Sequence, residues 1–133
     1  MKRLMVLSSL LLALIVATAA LAAGGGLGKF QTKLTGKGAN TEHGKLDGTW
    51  TIDLSTPTSG KVKLTWNGEN GGGGKYVISG SKITLTPKKN GSCKTKGKYK
   101  FTLVGNRLTF TKITDTCTQR RDVLTAHAWT KVV

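Results

Sequence analysis

Lysines at every second position over a short stretch are the clearest chemical feature of this chain. In a β-strand, alternate side chains point to the same face, so the lysines would form one row with Tyr99 and Phe101 on the opposite face. A row of ammonium groups attracts anions, which predicts an anion-binding surface. A solvated strand exterior is the alternative for the same residues. The row consists of Lys94, Lys96, Lys98 and Lys100.

Groups suited to catalysis or metal binding do not cluster in the sequence. The 6 acidic residues are scattered, without the spacing of a paired-carboxylate site, and no serine lies in a nucleophile-elbow context. His43 and His127 are far apart and lack a carboxylate or cysteine at ligand spacing. We therefore expect no catalytic residues, no metal and no cofactor, and we predict that the protein is not an enzyme.

The glycine-rich stretch of residues 68–75 has the composition of a phosphate-binding loop but not its pattern. Glu69 stands where the motif needs its first glycine, and Tyr76 stands where Ser or Thr should follow the lysine. We interpret this stretch as a flexible hairpin loop.

Cys93 and Cys117 are the 2 cysteines of the chain, and neither belongs to a C-x-x-C motif. Such a pair predicts a disulfide, which forms and persists in oxidising compartments. Closing a loop of about 25 residues would stabilise the fold by roughly 3 to 3.5 kcal/mol through chain entropy.

The N-terminal residues have the pattern of a secretory signal. A basic start at Lys2 and Arg3 precedes an apolar stretch, and Ala20-Leu21-Ala22 is a small-x-small cleavage site. We predict a signal peptide over residues 1–22 and a secreted protein, extracellular or periplasmic; an uncleaved membrane anchor is the alternative. Cleavage would leave 19 basic residues against 6 acidic ones, a charge of +13, which attracts an anionic envelope polymer or lipid surface.

The mature chain alternates apolar and polar residues with period two, which predicts β-strands. Turn pairs such as Asn67-Gly68 and Gly105-Asn106 separate the strands, as in hairpins. We predict an all-β, up-and-down antiparallel β-barrel of about eight short strands, with a small β-sandwich as the alternative. Residues 23–43 would form a flexible N-terminal arm or edge strand, residues 44–133 the barrel domain, and residues 123–132 its last strand.

Gly48-Thr49-Trp50 resembles the G-x-W of the first strand in lipocalins, and Asp115-x-Cys117-x-x-Arg120 with Trp129 is similar to small bacterial lipocalin-like (calycin) domains. The resemblance implies that Trp50 closes one end of the barrel and that Arg120 or Arg121 packs across its ring. Since neighbouring strand residues point to opposite faces, only one of the two arginines would do so.

The same resemblance implies a small hydrophobic ligand inside the barrel. The alternative function is a cationic exported protein that binds polyanions of the cell envelope, or a protein partner, through its outer surface. We expect a monomer and no specific nucleic-acid target.

Overall fold

The computed structural model describes residues 26–35, 40–41, 44–56 and 59–132, so the predicted signal peptide and His43 lie outside the described residues. No helix within those ranges is long and apolar enough to cross a membrane. The described part contains ten strands and one helix. In chain order they are β1 (Gly28–Leu34), β2 (Asn40–Thr41), β3 (Gly44–Lys45), β4 (Gly48–Leu54), β5 (Ser59–Trp66), β6 (Glu69–Ser79), β7 (Lys82–Pro87), β8 (Gly97–Val104), β9 (Arg107–Thr114), α1 (Thr118–Thr125) and β10 (Trp129–Val132).

Eight of these strands form a closed barrel in the order β1-β10-β9-β8-β7-β6-β5-β4, and β2 and β3 form a separate two-stranded pair. Neighbouring strands of the barrel are antiparallel. The predicted all-β, up-and-down barrel is thus confirmed, and the sandwich is excluded because the ladder closes on itself. Closure leaves no barrel strand with an unpaired edge.

Alternation along the strands fills the interior with side chains. Trp50, Ile52 and Leu54 of β4 are buried, as the sequence pattern predicts. Phe110 makes edge-on contacts with Tyr99 and Trp129, with ring centroids 6.3 and 6.4 Å apart. Edge-to-face rings at this separation pack favourably. The barrel core is therefore built from the chain's own apolar residues.

Strand β1 is an integral part of the barrel, which corrects the expected boundary at residue 44. It pairs with β4 along its whole length and with β10 on its other side, so it is neither an arm nor an edge strand. Phe30 is 0% exposed and Leu34 is 1% exposed. The sequence pattern of a strand is weak here, because few apolar residues stand among the glycines, lysines and threonines. Hydrogen bonding to β4 and β10 on both sides stabilises β1 in addition to its buried side chains.

The glycine run belongs to strand β6, so its interpretation as a hairpin loop was wrong. A Cβ on Gly71 would lie 2.9 Å from Cζ3 of Trp50, and one on Gly74 would collide with the carbonyl oxygen of Thr86. The register shifts between Leu64 and Thr65, which pair with Gly72 and Asn70, so Gly71 is the extra residue of a bulge within this run. The glycines allow β6 to pass close to its neighbours, a packing requirement that composition alone does not reveal.

Helix α1 corrects the prediction of a strand over residues 123–132, because only the last part of that stretch is β10. Val123 and Leu124, in the second half of the helix, are buried, whereas the first turn of the helix is polar. An eight-residue helix is marginal in water and is stabilised mainly by tertiary packing. Since α1 joins β9 to β10, it lies at the end of the barrel where β9 ends.

The burial of β1 predicts a large effect of Phe30→Ala and a small one of Gln31→Ala, because adjacent strand residues face opposite sides. Phe30→Ala should lower the free energy of unfolding by about 3 to 5 kcal/mol. Gln31→Ala should change it by about 0.5 kcal/mol or less. Urea denaturation, monitored by tryptophan fluorescence, measures the free energy of unfolding of both variants. A negligible effect of Phe30→Ala would indicate that residues 26–35 are an arm and not a barrel strand.

Candidate functional site

Trp50 is buried in the barrel near Val123 and Leu124 of α1, and its ring packs on a second tryptophan. Trp50 and Trp66 face each other across β4 and β5, with ring centroids 5.7 Å apart and planes at 13°. The indole N–H of Trp50 donates to the carbonyl of Leu46, and that of Trp66 to the carbonyl of Asp47, each at 2.9 Å. Trp66 is 38% exposed, whereas Trp50 is 3% exposed. The stack thus covers Trp50 from solvent.

Gly48 permits this stack. Its φ of +135° lies in the region that favours glycine, and a Cβ there would come within 2.7 Å of Nε1 of Trp66. The side-chain oxygen of Asn67 accepts a 2.9 Å hydrogen bond from the N–H of Thr49 in the same crowded corner. The glycine of the G-x-W pattern is therefore required by backbone conformation and by close packing.

Arg120 forms a buried ion pair with Asp115. Its Nε and Nη2 each donate to one carboxylate oxygen at 2.7 Å, a two-point contact, and Nη2 also donates to the carbonyl of Thr95 at 2.8 Å. The hydroxyl of Tyr99 and the N–H of Cys117 donate to the same carboxylate. The Asp115 side chain is 0% exposed and that of Arg120 is 8% exposed. The Asp115 carboxylate thus connects β8, through Tyr99, with α1, through Arg120, and with the residue before the helix, Cys117.

These contacts shift the pKa values of the cluster. Burial works to raise the pKa of Asp115, but hydrogen bonds from Arg120, Tyr99 and Cys117 outweigh it and hold that pKa below the ordinary value of 3.8. Burial, together with the hydrogen bond to Asp115, raises the pKa of the Tyr99 phenol well above its ordinary value. Tyr99 therefore stays protonated and Asp115 ionised at neutral pH, which suits a structural cluster.

Arg121 pairs with Asp122 at 3.0 Å and is half-buried. Arg120 and Arg121 lie on α1 and not on a strand, so the argument from strand alternation does not apply to them. We predicted that one of these arginines packs across the ring of Trp50. In the structure both guanidinium groups pair with carboxylates, and the ring stacked on Trp50 is that of Trp66. The period-two pattern places Trp66 in an apolar row with Val62 and Leu64, but it does not reveal that Trp66 faces Trp50, because register between strands is a tertiary property.

The predicted disulfide between Cys93 and Cys117 is present, with Cα atoms 5.5 Å apart. It joins the loop before β8 to the residue that precedes α1. Disulfides persist in oxidising compartments, and this one is consistent with such a location. The bond also holds the first turn of α1 against the barrel.

A small cavity of about 80 Å³ lies between α1, the glycine run of β6 and the disulfide. Ligand pockets for drug-sized molecules usually measure about 300 to 1,000 Å³. The cavity therefore has room for a few atoms only. Its lining comprises Trp50, Leu64, Gly71, Gly72, Gly73, Pro87, Gly91, Ser92, Cys93, Gln119, Arg120, Val123 and Leu124.

The predicted lysine row is only partly on a strand. Lys98 and Lys100 project from the outer face of β8, whereas Lys94 and Lys96 are exposed in the loop that precedes it. The charge extends well beyond this row, because no acidic residue occurs between Glu69 and Asp115. The basic residues of that acid-free segment are Lys75, Lys82, Lys88, Lys89, Lys94, Lys96, Lys98, Lys100, Arg107 and Lys112.

Two pairs of exposed lysines lie directly opposite each other on neighbouring strands. Lys82 of β7 faces Lys100 of β8, and Lys61 of β5 faces Lys75 of β6. Like charges in directly opposed positions destabilise a sheet. The sequence does not reveal these pairs, since register between strands is a tertiary property. It does show the acid-free segment, which indicates a concentration of positive charge.

Within the described residues, no group of three or more His, Cys, Asp and Glu side chains could hold a metal ion. His127 is exposed. Comparison with protein-family models, curated proteins and solved structures found no match. The fold and site define a cationic, disulfide-bonded, closed β-barrel whose interior is packed with its own side chains.

The ion pairs predict unequal effects for the two neighbouring arginines. Arg120→Ala leaves the buried Asp115 carboxylate without its charged partner, which should lower the free energy of unfolding by about 3 to 5 kcal/mol. Arg121→Ala removes a half-exposed pair within one helix and should lower it by about 1 kcal/mol or less. Urea denaturation of both variants at pH 7 is the measurement, and similar losses would contradict the buried pair.

The lowered pKa of Asp115 predicts a specific acid response. A carboxylate whose pKa is lower in the folded state stabilises the fold above its ordinary pKa, and that stabilisation is lost as pH falls through the folded-state pKa. Asp115→Asn should therefore be less stable than the wild type at pH 7, and the difference should shrink as pH falls below 3.8. Thermal unfolding from pH 7 to pH 2 measures it; a constant difference would refute the assignment.

Proposed function

We propose that this protein is an exported, non-enzymatic binding protein whose lysine-rich outer face holds a phosphate- or sulfate-bearing polymer of the cell envelope. The face comprises the outward side chains of β6, β7, β8 and β9. Export is supported by the signal-like N-terminus and by the disulfide.

The observation that carries the proposal is the opposed pair Lys82 and Lys100 on the acid-free segment. The ion pairs among the described residues engage Lys29, Arg120 and Arg121, which lie outside this segment. Repulsion between two facing ammonium groups opposes folding, and a bound polyanion relieves it. A surface with this arrangement gains most from a ligand that carries closely spaced negative charges.

The chemistry of the face favours an anionic polymer over single-stranded nucleic acid. The aromatic residues of β6 to β9 are Tyr76, Tyr99, Phe101 and Phe110, and all four are buried. Proteins that bind single strands without sequence preference commonly stack the bases on exposed aromatic rings. The outward residues here are mainly lysines and threonines, which contact charged groups and hydroxyls.

The small hydrophobic ligand implied by the lipocalin resemblance has less support. The cavity of about 80 Å³ is lined in part by Trp50 and Leu124 of the core, and a larger ligand would have to displace core residues. Kinship with the small bacterial lipocalin-like domains remains part of the proposal, supported by the G-x-W corner and the closed barrel.

The proposal predicts strongly salt-dependent binding of the mature protein to a poly(glycerol phosphate) chain. Lys82→Gln with Lys100→Gln should weaken binding and lower the slope of log K against log salt by about 1 for each lysine that contacts a phosphate. Isothermal titration calorimetry at several salt concentrations provides both quantities.

A matched control is Lys29→Gln with Lys131→Gln, which removes the same charge from β1 and β10, two strands that do not belong to the face. This variant should retain the slope of the wild type. Equal effects of both double variants would reject a localised face and indicate attraction by net charge alone. Stronger binding of single-stranded DNA, or salt-independent binding of an apolar fluorescent probe with no polymer binding, would overturn the proposal.

A further inference from the structure

The disulfide between Cys93 and Cys117 borders a recess of about 280 Å³ on the surface of the protein. We call it the disulfide recess. Both cysteines line it, and both are half-buried. Exposed disulfides are more labile in thiol exchange than enclosed structural ones. The position of this bond therefore permits attack by a thiol from solvent while the barrel is folded.

The disulfide recess carries a positive charge. Lys94 is the charged residue of its lining and is exposed. Thiol exchange begins when a thiolate attacks one sulfur atom and the other sulfur leaves as a thiolate. A neighbouring ammonium group stabilises thiolates, and so does the N-terminus of a helix. Because Cys117 directly precedes α1, its sulfur is the better leaving group, and Cys93 is the point of attack.

Hydrogen bonds hold the two cysteine segments together independently of the sulfur–sulfur bond. The hydroxyls of Thr95 and Thr116, neighbours of Cys93 and Cys117 in sequence, are 2.7 Å apart. Nη2 of Arg120 donates to the carbonyl of Thr95 at 2.8 Å, which ties the same loop to α1. The two sulfur atoms therefore stay adjacent after the bond between them is broken.

The closure of the barrel does not use the disulfide. Cys93 lies between β7 and β8, and Cys117 lies between β9 and α1, so neither belongs to a strand of the ladder. The Asp115 carboxylate also keeps α1 in place through Arg120. Reduction therefore removes one of several contacts at this end of the barrel and leaves the others.

We infer that the Cys93–Cys117 disulfide is a reversible thiol-exchange site for a partner with two neighbouring thiols, and that the barrel stays closed in the reduced form. One thiolate of the partner attacks Sγ of Cys93, forms a mixed disulfide and expels the Cys117 thiolate. The partner's second thiolate then attacks the partner sulfur of the mixed disulfide and releases Cys93. The partner becomes a disulfide; two electrons and its two thiol protons pass to the cysteines of this protein.

The contacts around Thr95 explain why the partner must be a dithiol. In the mixed disulfide, the Cys117 thiolate stays beside Cys93, and a reactant held in place competes far better than one in solution. It therefore attacks back and expels a monothiol. A dithiol completes the exchange because its second thiol is held equally close. This inference is independent of the proposed polyanion binding.

Dithiothreitol tests whether the folded protein reacts. The mature, disulfide-bonded protein is incubated with it, quenched with an alkylating reagent and analysed by mass spectrometry. Reduction should be complete, should leave circular dichroism and tryptophan fluorescence unchanged, and should keep one rate at urea concentrations below the unfolding transition. A reaction that requires unfolding would instead accelerate by roughly fivefold or more per molar urea. That acceleration, or unfolding upon reduction, would overturn the inference.

Lys94→Gln tests the recess as the route of attack. The variant should be reduced about threefold more slowly by dithiothreitol, the effect of one unit charge several Å from a thiolate in water. Lys131→Gln is the matched control, because it removes the same charge from an exposed lysine of β10 that does not line the recess. It should retain the rate of the wild type. Equal rates for the two variants would overturn the recess as the route.

Glutathione tests whether the two cysteines stay adjacent. A concentration that reduces the urea-unfolded protein should leave the native protein oxidised. Glutathione disulfide, added to the reduced native protein, should restore the Cys93–Cys117 bond without a lasting glutathione adduct. In urea the same reagent should leave such adducts. Adducts on the native protein, or its complete reduction by glutathione, would show that the cysteines separate and would reject the dithiol partner.

Discussion

The buried carboxylate of Asp115 is the contact on which the capped end of the barrel depends. It receives hydrogen bonds from Arg120, Tyr99 and the N–H of Cys117, which come from α1, from β8 and from the residue before the helix. A buried ion with an incomplete set of partners is strongly destabilising, so these groups must be in place together. The disulfide to Cys93 reinforces the same junction covalently. A helix too short to be stable alone is thereby fixed over the barrel end.

The glycine run of β6 has opposite consequences on the two faces of the sheet. On the inner side, Gly71 makes room for the ring of Trp50, which stacks on Trp66. On the outer side, the Lys88 side chain lies beside Gly73, with its Cε 3.5 Å from the position that a Cβ would take. The same lack of side chains therefore connects the packing of the core with the shape of the exterior. It also explains why a glycine-rich segment is compatible with a regular strand here.

Charge on this protein is separated according to its role. The acidic groups of the described ion pairs are used locally: Asp115 and Asp122 on arginines of α1, and Asp53 on Lys29 of β1. The segment between Glu69 and Asp115 has no acidic residue with which to neutralise its lysines. Because the interior is filled by apolar and aromatic side chains, the exterior is the larger surface available for recognition. Its field favours ligands that bring their own dense negative charge.

Period-two alternation determined the strands β4 to β9 and the barrel class, because inward and outward residues of a closed sheet differ in polarity at each step. Cysteine count and context likewise determined the disulfide. The sequence did not determine the role of β1, whose two-sided pairing exists only after closure, nor the strand character of the glycine run, which depends on the approach of Trp50 and Thr86. Helix α1 was missed because its stability comes from burial of Val123 and Leu124 in the barrel core and from the Asp115 cluster, which Tyr99 and Thr95 complete from an earlier part of the chain. Register between strands also decided that Lys82 faces Lys100, since a shift of one residue would have turned either side chain to the other face.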